Sequence, residues 1–132
     1  MLKNLLVRLH LCALLFAASL PASAYQKCER YEYGELKSMP SKQFSTEFCK
    51  TYQRLQDIYQ TVGETALDND TRVNDQAIRD RDVCDDILDK FHRQAAAKKV
   101  KLSCPNVKQV DPLKAALEKA NKDLEKAQQR SK

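Results

Sequence analysis

The sequence is poor in the residues from which catalytic and cofactor sites are usually built. Its only glycines are Gly34 and Gly63, which excludes a glycine-rich phosphate loop. After residue 24 the only histidine is His92, in a charged helical pattern that favours a surface side chain. The acidic run at 85–89 is interpreted as solvated helix surface. We therefore predict no catalytic residue, no metal, no cofactor and no enzymatic activity.

Long apolar runs are also scarce. Residues 9 to 20 form an uncharged, mostly apolar run after the basic Lys3 and Arg8, and Ala22-Ser23-Ala24 follows it. This order is typical of a cleavable secretory signal. The run is shorter than the roughly 20 residues that a membrane-spanning helix needs. We predict a signal peptide over residues 1–24, a periplasmic or secreted protein, and no membrane span.

Cleavage after Ala24 would leave 108 residues with 21 basic and 18 acidic side chains, a net charge of +3. This length suits one small domain. Cys12 would leave with the signal, and four cysteines would remain in an exported chain, which favours two disulfides. No two of them are closer than 20 residues, so a Cys-x-x-Cys redox motif is absent and a zinc site is disfavoured.

The spacing of apolar residues predicts an all-α fold. Two helical stripes flank a turn-like run at residues 63–70, and together they predict an antiparallel helical hairpin over residues 41–99. Asp80 interrupts the second stripe, and we expect it to be exposed or locally paired. The stripes comprise Phe48, Tyr52, Leu55, Tyr59, Val62 and Ala66, and then Val73, Ala77, Cys84, Ile87, Leu88, Phe91 and Ala95.

The cysteine positions suggest how the hairpin is stapled. The sequence midpoint between Cys49 and Cys84 lies in the turn, so folding the chain there brings these two cysteines opposite each other. The sequence midpoint between Cys28 and Cys104 is nearly the same, so this outer pair can meet as well. The favoured pairing is therefore 28–104 with 49–84, in which the first bridge encloses the second. The intervals of 21 residues before Cys49 and 20 after Cys84 leave an alternative open. In that alternative each flank folds back along its own arm, which pairs 28 with 49 and 84 with 104.

The flanks complete the predicted domain. Residues 25–40 form a tyrosine-rich segment, 100–110 a linker, and 111–132 a third, amphipathic helix that begins at Asp111 and Pro112. We expect this helix to pack on the hairpin or on a partner through one apolar stripe, and its last residues, 128–132, to fray. The stripe comprises Leu113, Leu117, Ala120, Leu124 and Ala127.

Charge is distributed unevenly along the chain. Residues 25–97 contain 11 basic and 14 acidic side chains, whereas residues 98–132 contain ten basic and four acidic ones. Such asymmetry can steer a charged partner, although a basic tail lying on the acidic arm would also explain it. Nucleic acid is disfavoured because no aromatic residue accompanies the lysines. Candidate partner-binding residues are Tyr25, Tyr31, Tyr33, Lys114, Lys119, Lys122 and Lys126; the tyrosines are alternatively a cover for the hairpin.

Two functions remain. The first is an exported protein-binding module, such as an inhibitor, an immunity factor or an accessory subunit of an envelope or secretion assembly. The alternative is a periplasmic stress or chaperone-like protein that exposes apolar helix faces. Asn69-Asp70-Thr71 also matches a glycosylation acceptor, which matters only in a eukaryotic source. The sequence leaves the oligomeric state open.

Overall fold

The computed structural model describes residues 25–131. The predicted signal peptide, its cleavage site and Cys12 lie outside the described residues. Within them the chain forms four helices and no strand: α1 Tyr33–Ser38, α2 Ser41–Thr65, α3 Arg72–Lys98 and α4 Pro112–Arg130. The all-α prediction is confirmed, as are the hairpin, made by α2 and α3, and the further C-terminal helix.

Local chemistry explains where the long helices begin and end. The Asp70 carboxylate accepts a hydrogen bond from the Arg72 backbone N–H at 3.1 Å, which satisfies one of the free donors at the start of α3. Lys99 ends α3 in the left-handed conformation, with φ at 53°. At α4 the Asp111 carboxylate caps the Leu113 N–H at 2.9 Å, as the sequence predicts. The helix continues through Arg130.

The core lies between the two arms of the hairpin. Phe44, Phe48 and Ile58 of α2 meet Ile87 and Phe91 of α3, and all five side chains are almost completely buried. The Phe91 ring has its centroid 5.0 Å from Phe44 and 5.8 Å from Phe48. Aromatic packing of this kind supplies much of the apolar burial that holds a small domain together.

The disulfides join Cys28 to Cys84 and Cys49 to Cys104. Both the favoured pairing, 28–104 with 49–84, and the alternative, 28–49 with 84–104, are therefore wrong. Distance from the turn places two residues at one level of a hairpin, but it does not fix which way they point. Phe48 faces α3, and Cys49, one residue later, points about 100° away. Cys49 therefore faces the C-terminal linker, while Cys84, which is fully buried, faces the N-terminal segment.

The N-terminal segment packs along the hairpin before entering α1. The Tyr25 hydroxyl donates a hydrogen bond to Asp80 at 2.8 Å, and the Tyr31 hydroxyl donates one to Glu47 at 2.9 Å. Asp80 is therefore buried and not exposed. It is locally paired, as expected, because the Gln76 side chain one turn earlier donates a hydrogen bond to it at 3.0 Å, but it is also bound by Tyr25, 55 residues away. The short helix α1, which the fully buried Leu36 anchors, was not predicted from the sequence.

The disulfides and the helix composition bear on where the protein works. Two intramolecular disulfides indicate an oxidising, extracytoplasmic environment. Among residues 25–131, no helix has both the length and the apolar character needed to cross a bilayer.

Candidate interaction surface

The linker and the start of α4 are held against α2. The backbone N–H of Val110 donates to the Gln56 side chain at 2.8 Å, and Gln109 donates to the Tyr52 hydroxyl at 3.2 Å. Gln56 is itself buried. These two contacts, together with the Cys49–Cys104 disulfide, fix the direction in which the chain enters α4.

A glycine lets α4 approach α2 closely. A Cβ atom added at Gly63 would lie 2.3 Å from the Pro112 carbonyl oxygen and 2.7 Å from the Ala115 Cβ, both far inside van der Waals contact. Ala115 is the one residue of α4 that is buried. Farther along, Lys119 donates to Asp68 at 2.5 Å, and this hydrogen bond raises the pKa of the Lys119 ammonium. The side of α4 that contains Ala115 and Lys119 therefore faces the hairpin.

The predicted apolar stripe of α4 does not face the hairpin. Leu113, Leu117 and Leu124 are 69%, 58% and 59% exposed. The C-terminal helix does pack on the hairpin, as one of the two expectations had it, but it does so through its alanine side. From residue 121 to residue 130 every position of α4 is exposed. The three leucines form an apolar face, here called the leucine face, that nothing in the described residues covers.

The candidate lysines of α4 fall into two groups. Lys119 is occupied by its ion pair with Asp68. Lys114, Lys122 and Lys126 are exposed and form no ion pair within residues 25–131. Lys122 and Lys126 each lie two residues from Leu124, which places them about 160° around the helix from it. These two lysines therefore point away from the leucine face, whereas Lys114 lies beside it.

The candidate tyrosines do not form one surface. Tyr25 and Tyr31 are 8% and 6% exposed, and their rings belong to the core. Burial, strengthened by the hydrogen bonds to Asp80 and Glu47, raises the pKa of both hydroxyls. Only Tyr33 is exposed, and its ring lies 5.8 Å from the Lys90 ammonium. The structure thus separates the tyrosines from the lysines of α4.

The remaining polar features offer no reactive cluster. His92 is exposed and its ring packs on Phe48, with the centroids 5.3 Å apart. Asp86 and Asp89 form ion pairs with Lys90 and Arg93, one helical turn farther along α3. In the part of the chain that the structure describes, no group of three or more His, Cys, Asp or Glu side chains is placed to hold a metal ion.

No protein-family model, characterised protein or solved structure matches this chain. Its function is therefore inferred from its own residues and geometry.

Proposed function

We propose that this protein is an exported, non-enzymatic binding module that presents the leucine face of α4 to a helix of a protein partner. The observation that carries the proposal is the exposure of Leu113, Leu117 and Leu124, each 58% or more, on a helix that a disulfide-linked segment and Gly63 hold in place. Isolated exposed leucines are ordinary, but three on one helix face make a docking surface.

The spacing of the leucine face favours a helical partner. Leu113, Leu117, Ala120, Leu124 and Ala127 follow one another at intervals of four and three, the heptad pattern of a coiled-coil seam. The seam spans only about 80° of the helix circumference, which is narrower than the face of a typical membrane-surface helix. Two of the five seam residues, Ala120 and Ala127, are small, so a partner helix with bulky apolar side chains can approach closely at these positions.

Charge supports an acidic partner. Residues 98–132 carry ten basic and four acidic side chains. Lys114 lies beside the leucine face and can contact an acidic residue of the partner. Lys122 and Lys126 point away from the face and act at longer range, by increasing the rate of encounter with an acidic surface. The lysine positions named from the sequence therefore contribute to steering more than to direct contact.

The same proposal places the protein in the periplasm or outside the cell. Residues 1–24 carry the pattern of a cleaved signal peptide, and the two disulfides favour an oxidising environment such as the one reached after export. An inhibitor, an immunity factor and an accessory subunit of an envelope assembly all fit this location and surface.

Affinity capture under oxidising, low-salt conditions tests the proposal. The bait is the full chain, and the test variant carries Leu117→Asn with Leu124→Asn. Leu67→Asn is the matched control, because Leu67 is a 75% exposed leucine in the hairpin turn, outside α4. We expect one partner to bind the native and control proteins and to be lost from the double variant. Equal retention by all three proteins, or retention of nothing, contradicts the proposal.

The chaperone-like alternative is favoured by the same exposed leucines, since an uncovered apolar face also binds unfolded clients. It differs in predicting no single partner. It further predicts that acid or heat increases hydrophobic-dye binding and that the protein then suppresses the aggregation of a client. If dye binding and client aggregation are unchanged under these conditions, the alternative is excluded.

A further inference from the structure

The two disulfides differ sharply in their access to solvent. Cys84 is completely buried and Cys28 is 9% exposed, and the Cys28 sulfur lies in the core 3.6 Å from the Thr51 carbonyl oxygen. Cys49 and Cys104 are both partly exposed, and the Cys49 sulfur lies at the surface, 3.4 Å from the Ser103 carbonyl oxygen. The second disulfide is therefore the more accessible of the two to a reagent in solution.

An open depression in the surface lies beside Cys49, one of the two cysteines of this partly exposed disulfide. Its volume is about 770 Å³, and Cys49 forms part of its wall between α2 and the N-terminal segment. Lys50 and Arg54 also line it, and a cation close to a departing sulfur favours the thiolate. Because Lys50 is paired with Glu47, and Arg54 with Glu29, their joint effect is small. Access to the sulfur, more than local charge, is the property that distinguishes this site.

We propose that Cys49–Cys104 is a thiol-exchange site, opened by dithiols while Cys28–Cys84 stays closed. A dithiol reductant attacks one sulfur as a thiolate and breaks the bond between Cys49 and Cys104. The other sulfur leaves as a thiolate and takes up a proton. The second thiol of the reductant then attacks the mixed disulfide and releases the remaining cysteine as a thiol. The protein gains two electrons and two protons, and the dithiol becomes a disulfide.

Opening this disulfide removes the covalent tie between α2 and the C-terminal segment. The linker is then held without a covalent bond, by the packing of Val100 and Leu102 on the core and by the hydrogen bonds of Gln109 and Val110 to side chains of α2. The disulfide Cys28–Cys84 stays closed and continues to tie the N-terminal segment to α3. Reduction thus loosens α4 and leaves the core intact, so the site controls how firmly α4 is presented. This inference does not depend on the identity of any partner.

Graded reduction of the full native protein with dithiothreitol tests the proposal. Free thiols are alkylated at intervals and located by peptide mass mapping. We expect Cys49 and Cys104 to be alkylated at least about ten times faster than Cys28 and Cys84, since the buried pair requires a sub-global opening first. Simultaneous release of all four thiols, or earlier release of Cys28 and Cys84, overturns the proposal. A parallel arm with reduced thioredoxin shows whether a protein-borne dithiol reaches the site as well as a small one.

Hydrogen exchange measures the structural consequence. In the variant Cys49→Ser with Cys104→Ser, and in the half-reduced native protein, we expect amides of α4 to exchange faster while those of α3 around Phe91 are unchanged. If α4 keeps its native protection in both samples, the disulfide does not control α4 and that part of the inference is wrong. Should the variant fail to fold, the half-reduced native protein still gives the result.

Discussion

Replacement of Gly63 by alanine sets two effects against each other. Alanine has a higher helix propensity than glycine, but its side chain occupies the space in which α4 packs against α2. Gly63 lies in the last turn of α2, and in an isolated helix Gly→Ala stabilises by about 0.8–1 kcal/mol. Here the new Cβ would lie 2.3 Å from a backbone oxygen of Pro112, which cannot rotate away, and 2.7 Å from the Ala115 Cβ. α4 must therefore move away from α2 or detach from it.

Overpacking of this kind costs about 1–3 kcal/mol, which exceeds the gain in helix propensity. We expect Gly63→Ala to lower the free energy of unfolding by about 1 kcal/mol once both effects are combined. Urea unfolding with the disulfides intact measures this change. Hydrogen exchange should also show faster exchange for the amides of α4 near Ala115, because that is the contact the new methyl group disrupts.

The matched control is Gly34→Ala in α1. A Cβ at Gly34 meets nothing within 4 Å, so only the helix preference acts, and we expect stabilisation of about 0.5–1 kcal/mol. The two substitutions are chemically identical and should have opposite signs. If Gly63→Ala stabilises the protein as much as Gly34→Ala does, and α4 keeps its protection, then α4 does not depend on close packing against Gly63.

Three further predictions concern the hairpin and its N-terminal cover. Lys99→Gly should raise the free energy of unfolding by about 0.5–1 kcal/mol, because glycine adopts the left-handed conformation of this helix end without steric cost; a loss of stability in urea would contradict this. Tyr25→Phe should cost about 1–2 kcal/mol in the same assay, since the buried Asp80 loses its hydroxyl donor, and an unchanged midpoint would show that the bond contributes nothing. Burial in the fold raises the pKa values of Tyr25 and Tyr31. Their contribution to stability is therefore present below the unfolded pKa of about 10 and is lost as pH rises from there through the folded pKa. Urea midpoints measured from pH 8 to 11 should fall less in Tyr31→Phe than in the native protein.

Much of the architecture could be predicted from the sequence because its signals are local. The apolar stripes and the turn-like run define α2 and α3, and the Asp111-Pro112 pair defines the start of α4. These signals act within a few residues of the feature they specify. The short α1 was missed because its six residues carry no full amphipathic repeat, and it depends on tertiary burial of Leu36.

The features that were not predicted depend on the direction in which each side chain points around its helix axis. Distance from the turn along α2 and α3 does not include the angle of about 100° between Phe48 and Cys49, and this angle decides which cysteines meet. In α4 the leucine stripe identified the apolar side of the helix, but the side that packs on the hairpin is the one with Ala115. The usable signal was Gly63, a glycine inside a long helix, which often marks close approach by another backbone. Asp80, at an apolar position, likewise marked a buried partner that proved to be Tyr25.

Site-specific photo-crosslinking in the source cells tests the central claim most directly. A photoreactive phenylalanine analogue replaces Leu117 on the leucine face, and the same analogue replaces Leu67 in the hairpin turn as the comparison. The account predicts that illumination links the protein at position 117 to one discrete partner and that position 67 gives no such product. Products of the same kind and yield from both positions, or none from position 117, would contradict it.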